Sequence, residues 1–337
     1  MSEKVRLAIN GFGRIGRAAF KIALANDEIE VVAINDLGDL ENLAYLLRYD
    51  TVYGRYAQDI ELSDGKMVIG AREVAVLQEK DPASLPWGDM DVDVVIESTG
   101  VFTEEEGARG HLTGGARKVI ISAPTKSEGL STVVLGVNDD ELQGKDIISN
   151  ASCTTNCAAP VMAVLNNVFG VEKALLTTVH AYTATQSIVD GPAKGDFRRG
   201  RAGAQNMVPA STGAAIAATK ALPELEGKFD GVSIRVPVPV VSNADFVAVL
   251  KKDVTVEDIN AAFIEAVTNP IYKGVIAVTE ENNVSSDFIG DPHSAIVDLQ
   301  MTRVVGGNLV KVLAWYDNEW GYSNRLVEQV VEIGKEE

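Results

Sequence analysis

Short apolar runs, each closed by a glycine or a polar residue, recur through the first half of the chain. Residues 5–10 (VRLAIN), 30–35 (EVVAIN), 93–97 (DVVIE) and 119–122 (VIIS) read as buried strands, since runs of this length rich in Val and Ile suit a sheet covered on both faces. Residues 17–25 show helical spacing between the first two strands. This alternation predicts an α/β fold with an open, doubly wound parallel sheet. Residues 60–77 alternate instead, with Asp64-Gly65 as the turn, and predict a hairpin insertion. After Cys153 the texture changes. Residues 174–182, 233–238, 244–250 and 309–315 read as long strands with few helices between them, which predicts a second, α+β domain built on a mostly antiparallel sheet. A final helix from about Gly321 carries Leu326, Val327, Val330 and Val331 on one face. No repeat or Pro/Ser-rich linker separates the two halves.

The strand 5–10 runs directly into Gly11-Phe12-Gly13-Arg14-Ile15-Gly16, and Asp36 closes the next strand. A glycine triplet by itself also fits an ordinary loop. Placed between strand and helix, with an acid about twenty residues on, it reads as a dinucleotide-binding turn. The glycines let backbone approach a pyrophosphate, the helix start favours its charge, and Asp36 accepts hydrogen bonds from a ribose. Ser98-Thr99-Gly100, at the end of the strand 93–97, would face the same crevice.

Composition narrows the class. With 337 residues the chain has room for two domains, and its 46% hydrophobic content is ordinary for a globular protein. A net charge of −18 argues against nucleic acid or an anionic membrane as the main partner. No apolar run spans a bilayer, and the first residues enter a strand with no room for a signal peptide, which predicts a cytoplasmic protein. Only two cysteines occur, four residues apart, a spacing that suits neither a helical disulfide nor a metal site. Against the acidic background, Arg198, Arg199 and Arg201 form a basic loop suited to an anion.

Both cysteines lie in residues 149–159 (SNASCTTNCAA), which lead into an alanine-rich helix-former. A thiol at a helix start sits near backbone N–H groups and the positive end of the helix dipole, so a depressed pKa and a thiolate nucleophile are expected at Cys153. Two small buried apolar residues would be the bland alternative.

The chain's motifs occur in one order: the Gly11–Gly16 turn, the cysteine segment, His180-Ala181-Tyr182-Thr183, the arginine loop, Ser211-Thr212-Gly213-Ala214-Ala215, Arg235-Val236-Pro237 and residues 315–325. In this the chain resembles the phosphorylating glyceraldehyde-3-phosphate dehydrogenases of bacteria and eukaryotes over nearly its whole length. The resemblance implies a discontinuous NAD-binding domain (1–152 and 318–337) and a catalytic domain (153–317). It makes Cys153 the nucleophile, Cys157 a buried companion and His180 the acid–base partner. It assigns Thr183 and Arg235 to one phosphate site, and Ser152, Arg199, Thr212 and Gly213 to the other, with Thr154 beside the thiol. For NAD it adds Arg14, Ile15, Lys80, Ser122, Asn318 and Tyr322 to Gly11, Gly13, Gly16, Asp36 and Thr99. It implies a phosphorylated aldehyde and inorganic phosphate as substrates, and a homotetramer in which the loop 186–205 crosses a subunit interface. Lys80 and Gly191 depart from the commonest pattern and would loosen discrimination against NADP, whereas Asp36 and Pro192 fit an NAD enzyme. The nearest rival is an erythrose-4-phosphate dehydrogenase, whose thioester goes to water. A non-catalytic NAD-binding protein is the rival from another class.

Overall fold

The computed structural model describes residues 4–335, which form two compact units. The first comprises the chain up to Val133, Asp139–Ala151 and the segment from Ser323 on; the second comprises Val134–Asn138 and Ser152–Tyr322. The chain thus returns to its first unit at Ser323, and Asn318 counts with the second.

In the first unit the chain runs through β1 (Val5–Asn10), α1 (Arg14–Leu24), β2 (Ile29–Asn35) and α2 (Leu40–Arg48). A two-residue ribbon, β3 (Tyr49–Asp50) and β4 (Gly54–Arg55), precedes β5 (Ile60–Ser63), β6 (Lys66–Ile69) and β7 (Arg72–Leu77). Then follow β8 (Val94–Glu97), α3 (Glu105–Thr113), β9 (Lys118–Ile121) and β10 (Ile147–Ser149). The sheet order is β10-β9-β8-β1-β2-β7-β6-β5. Strands β10 to β7 run parallel; in β10, β9, β8, β1 and β2 the apolar residues are all buried, as their Val/Ile runs require, whereas β7 buries only Val74. The 60–77 segment forms the expected hairpin at the edge, where Asp64 and Gly65 both take positive φ (47° and 78°) in the manner of a two-residue hairpin turn. Its third strand, β7, turns back into the parallel sheet beside β2. Strand order reverses at β1, which lies between β2 and β8, and the carboxyl ends of such strands are where open α/β sheets take ligands.

The second unit holds α4 (Cys153–Phe169), β11 (Val171–Ala181), β12 (Val208–Ser211), α5 (Ala214–Ala221), β13 (Phe229–Val236), β14 (Ser242–Leu250) and α6 (Val256–Thr268). It continues with β15 (Ile276–Thr279), β16 (Ala295–Asp298), β17 (Arg303–Val305), β18 (Leu309–Tyr316) and the start of α7 (Trp320–Gly334). The sheet order is β12-β13-β11-β14-β18-β16-β15, with β17 on β18. Most pairs are antiparallel; β11 with β13 and β15 with β16 are parallel. Residues 154–165 of α4 are all buried, so this stretch is a core element without a solvent face, and only the last turn, at Asn167 and Val168, reaches the surface. Along β11 the alternation is clear: Leu176, Thr178 and His180 are buried, while Leu175 and Val179 are exposed. Among the described residues no helix is long and apolar enough to cross a membrane.

Candidate active site

The centre of the second unit's polar cluster is built by an abrupt helix start. Ala151 is held at φ 54°, the left-handed region that costs a residue with a side chain about 1 kcal/mol or more. Ser152 then returns to extended backbone as the N-cap of α4, its Oγ accepting from Thr155 N–H at 3.1 Å. Cys153 is therefore the first helical residue. Its Sγ lies 3.5 Å from Nε2 of His180, which β11 delivers from the next-to-last position of the strand.

Hydrogen bonding fixes the imidazole's tautomer. His180 Nδ1 lies 2.7 Å from the Ala181 carbonyl, which can only accept, so Nδ1 carries the proton and Nε2 offers its lone pair to the thiol. Arg235 Nη1, which can only donate, gives its hydrogen to the same Ala181 carbonyl at 3.3 Å, so its 3.0 Å approach to the protonated Nδ1 is a contact between two donors and not a hydrogen bond. Burial, then the Arg235 charge, lowers the His180 pKa to about 3, so the ring is neutral through the neutral range. Cys153 retains part of its surface, but its sulfur is crowded by protein atoms, and that desolvation pushes the thiol up. The Arg235 charge and hydrogen bonds around Thr154 pull it down without outweighing burial. The depressed thiol pKa expected from the helix start is thus corrected: the resting pair is a neutral thiol facing a neutral imidazole. Cys157, one turn further along α4, is wholly buried and pushed higher still, by burial first and by Cys153 second. Both thiols are free.

Tyr316 backs this pair and carries no assignment from the sequence. Its hydroxyl bridges Thr154 Oγ1 at 2.9 Å and Thr178 Oγ1 at 3.0 Å, and its ring stands edge-on to His180. Burial, with both thiols nearby, raises its pKa beyond the ordinary range, so it remains a neutral hydrogen-bonding prop.

Further expected residues lie in the same unit. The start of α5 is linked to that of α4: Ser152 Oγ meets Thr155 Oγ1 at 2.8 Å, and Thr155 Oγ1 reaches the Ala214 carbonyl at 3.5 Å. Gly213 is the N-cap of α5, and Thr212 Oγ1 accepts from Ala214 N–H at 3.2 Å. Arg199 is paired with Asp196 at 3.2 Å, yet its charge is felt at both His180 and Arg235. Arg235 Nε is buried and has no hydrogen-bond partner among the described residues, a donor that an anion would satisfy. Thr183 lies two residues past the carbonyl that Arg235 binds, its hydroxyl 3.0 Å from that of Thr185. Asn318 is buried and accepts from Ser242 Oγ at 3.0 Å; Tyr322, also buried, lies in the first turn of α7, four residues on.

In the first unit the glycine turn has the features a dinucleotide needs. A Cβ on Gly11 would fall 2.6 Å from Thr99 N, and one on Gly16 would fall 2.0 Å from the Gly11 carbonyl, so the turns after β1 and β8 touch backbone to backbone. At Gly13, the uncapped N-cap of α1, nothing lies within 4 Å of a Cβ, which leaves the helix start open to a phosphate. The Asp36 carboxylate accepts from Phe12 N–H at 2.7 Å and Gly38 N–H at 2.8 Å, which holds it beside the turn with lone pairs to spare. Glu97, which the sequence reading passed over, holds Thr99 through its backbone N–H at 2.8 Å and its hydroxyl. The same buried carboxylate accepts from Asn10 Nδ2 at 2.5 Å and lies 3.0 Å from His111 Nε2. Ser122 N–H donates to the Glu97 carbonyl at 2.9 Å, whereas Lys80 is exposed. The Arg14 side chain is engaged with Asp50 at 2.6 Å, leaving its part in any cofactor site to the backbone.

These residues fit a bound dinucleotide, and the fold with its sites defines the class: an NAD-dependent dehydrogenase. Comparison with known proteins narrows it. Residues 5–105 match the family described as glyceraldehyde 3-phosphate dehydrogenase, NAD binding domain, and residues 152–318 match its C-terminal domain. A glyceraldehyde-3-phosphate dehydrogenase from Streptomyces coelicolor is 50% identical over 335 residues, covering 98% of this chain and 99% of the relative. One from Mycolicibacterium smegmatis is 52% identical over 341 residues at the same coverage. A third, glyceraldehyde-3-phosphate dehydrogenase 1 of Bacillus subtilis, is 49% identical over 333 residues and covers 98% of both chains. The chain belongs to the glyceraldehyde-3-phosphate dehydrogenase family.

Proposed function

We propose that the chain converts D-glyceraldehyde 3-phosphate to 1,3-bisphosphoglycerate with NAD and inorganic phosphate, through covalent intermediates on Cys153. The observation that carries this reading is Cys153 Sγ at 3.5 Å from an imidazole nitrogen whose tautomer makes it the acceptor. The thiol attacks the aldehyde carbon as His180 Nε2 takes its proton, forming the C–S bond of a hemithioacetal. The imidazolium so formed shares its proton with the new oxygen. It withdraws that proton again as the carbon is oxidised, leaving a thioester on Cys153. Bound NAD supplies the hydride acceptor. Phosphate then attacks the thioester carbon; the C–S bond breaks, the acyl phosphate leaves and His180 returns the proton to sulfur.

Arg235, with its unpartnered Nε, and Thr183 grip the substrate's own phosphate, while Ser152, Thr154, Arg199 and the Thr212-Gly213 start of α5 hold the attacking one. Mixing the protein with the aldehyde and NAD should give steady NADH formation only when phosphate, or arsenate in its place, is present. Full steady turnover without phosphate, with erythrose 4-phosphate the better substrate, would move the chain to the water-releasing alternative. Two free cysteines, one of them needed as a thiol, suit a reducing cytoplasm.

The active form is read as a homotetramer. The second unit leaves one face of its sheet uncovered, with Leu175, Val232 and Val247 exposed, and a groove of about 700 Å³ lined by Leu175, Ile216, Val247 and Leu309. Loop residues Ile188 and Phe197 are each 88% exposed. A second copy of this chain is the covering partner that a soluble protein of this composition needs. Sedimentation should give a mass of four chains, and Leu175→Asp with Val247→Asp should split it; a monomer from the unmodified chain would refute the assembly.

A further inference from the structure

Ser242 opens β14 behind the reactive pair, and it is 1% exposed. In the register Val179↔Asn243 the antiparallel ladder of β11 and β14 would next place Ala181 opposite Val241. That pair does not form. Val241 is held at φ 67°, an outlier for a β-branched residue, and the Ala181 N–H goes to the Ser242 hydroxyl at 3.1 Å. The same hydroxyl lies 3.0 Å from Asn318 Oδ1, on a side chain that is itself buried.

A hydroxyl has one hydrogen to give. The Ala181 N–H can only donate, so the hydroxyl hydrogen is directed to Asn318, and the atom there must be the amide oxygen. A flipped Asn318 would aim its own N–H₂ at Ser242 and leave the hydroxyl hydrogen unpaired in a buried place, which is costly. The strain at Val241 serves this arrangement, because it replaces a ladder bond with a side chain that can choose between oxygen and nitrogen.

We propose that Ser242 is a positioning residue: it fixes the carboxamide of Asn318 so that Nδ2 is the atom offered to the carboxamide oxygen of the cofactor's nicotinamide. This rests on the NAD-dependent reading above and on Asn318 facing the nicotinamide. Asn318 Nδ2 makes no hydrogen bond in the structure of the described residues, as a donor kept for a ligand would not. Without Ser242 the two amide orientations become closer in energy, and part of the population presents an acceptor to an acceptor.

The test is calorimetric binding to the full-length protein without aldehyde, using NAD and ADP-ribose, which lacks the nicotinamide. Ser242→Ala should weaken NAD by about tenfold, the scale of one hydrogen bond of about 1.4 kcal/mol, and leave ADP-ribose within about twofold. Asn318→Asp, which has no N–H₂ to offer, should show the same selective loss, and the double variant should lose no more than either single one. Ser242→Thr keeps the hydroxyl and should restore NAD binding. If Ser242→Ala folds poorly, Ser242→Cys, with its weaker donor, should give an intermediate and still selective loss. Unchanged NAD affinity, parallel loss of ADP-ribose, or additive effects in the double variant would each overturn the assignment. The unmodified chain is the separate control. If it forms no NADH from the aldehyde, the underlying reading falls; if it turns over and the variants bind NAD normally, only the role of Ser242 falls.

Discussion

Cys153→Ser is expected to lower turnover by about 10⁴-fold or more, the scale on which a covalent nucleophile is lost. The serine hydroxyl would occupy the same first position of α4 beside His180 Nε2. Yet it is far less acidic than a thiol, and the burial that already pushes the sulfur up would act against an alkoxide more strongly. Neutral His180, with its pKa lowered to about 3, is too weak a base to overcome that difference. Cys157→Ser should keep most activity, because Cys157 is wholly buried in α4 and meets no reacting group. Its cost falls on stability, about 1–3 kcal/mol for a hydroxyl placed in an apolar site, and a thermal melt reads it. Rapid quench with iodoacetamide followed by peptide mapping identifies the reactive thiol. Labelling confined to Cys157, or a dead Cys157→Ser with a live Cys153→Ser, would reverse the two roles.

Much of this is legible in the sequence. Uninterrupted Val/Ile runs gave away β1, β2, β8 and β9, since a strand buried on both faces has no polar alternation to confuse it, whereas β7 alternates and reads only as part of the hairpin, and β10 is three residues long. The segment 149–159 marked the helix start through the alanine-rich run it leads into, and the structure adds that Ser152 is the N-cap. What escaped depends on distance in the chain. Tyr316 supports Thr154 across 162 positions, and no local pattern announces such a bond. Glu97 offered a faint signal: Asn10, Asn35 and Glu97 each end an apolar strand with a polar residue, and adjacent parallel strands bring those ends to one level. There Asn35 Nδ2 donates to Asn10 Oδ1 at 2.7 Å and Asn10 Nδ2 to Glu97, a buried chain beneath the glycine turn. The protonation state of Cys153 is not legible in the sequence for a different reason. A helix start predicts the attraction of N–H groups for a thiolate but carries no measure of desolvation, which only packing fixes.

Arg235→Ala is expected to reduce kcat/KM for the phosphorylated aldehyde by about a hundredfold, and to slow the first burst of NADH along with steady turnover. The guanidinium is the charge nearest the reactive pair, 3.0 Å from His180 Nδ1, and its buried Nε awaits an acceptor. Charge-assisted hydrogen bonds of this kind are worth about 1.5–3 kcal/mol, and losing the grip also lets the aldehyde wander from Cys153. The substitution has an electrostatic signature besides. The Arg235 charge holds down both the His180 and Cys153 pKa values, so its removal raises both. His180 then protonates at a higher pH as acid is added, and the acid limb of the alkylation or burst profile moves toward neutrality. Arg199→Ala should behave otherwise. Its charge is the smaller influence on His180, and its side chain is shared with Asp196, so the burst should survive while acyl release slows and the phosphate requirement rises. Stopped-flow absorbance with varied aldehyde and phosphate separates the two steps. Equal damage to burst and release in both variants would show that the arginines serve one anion site rather than two.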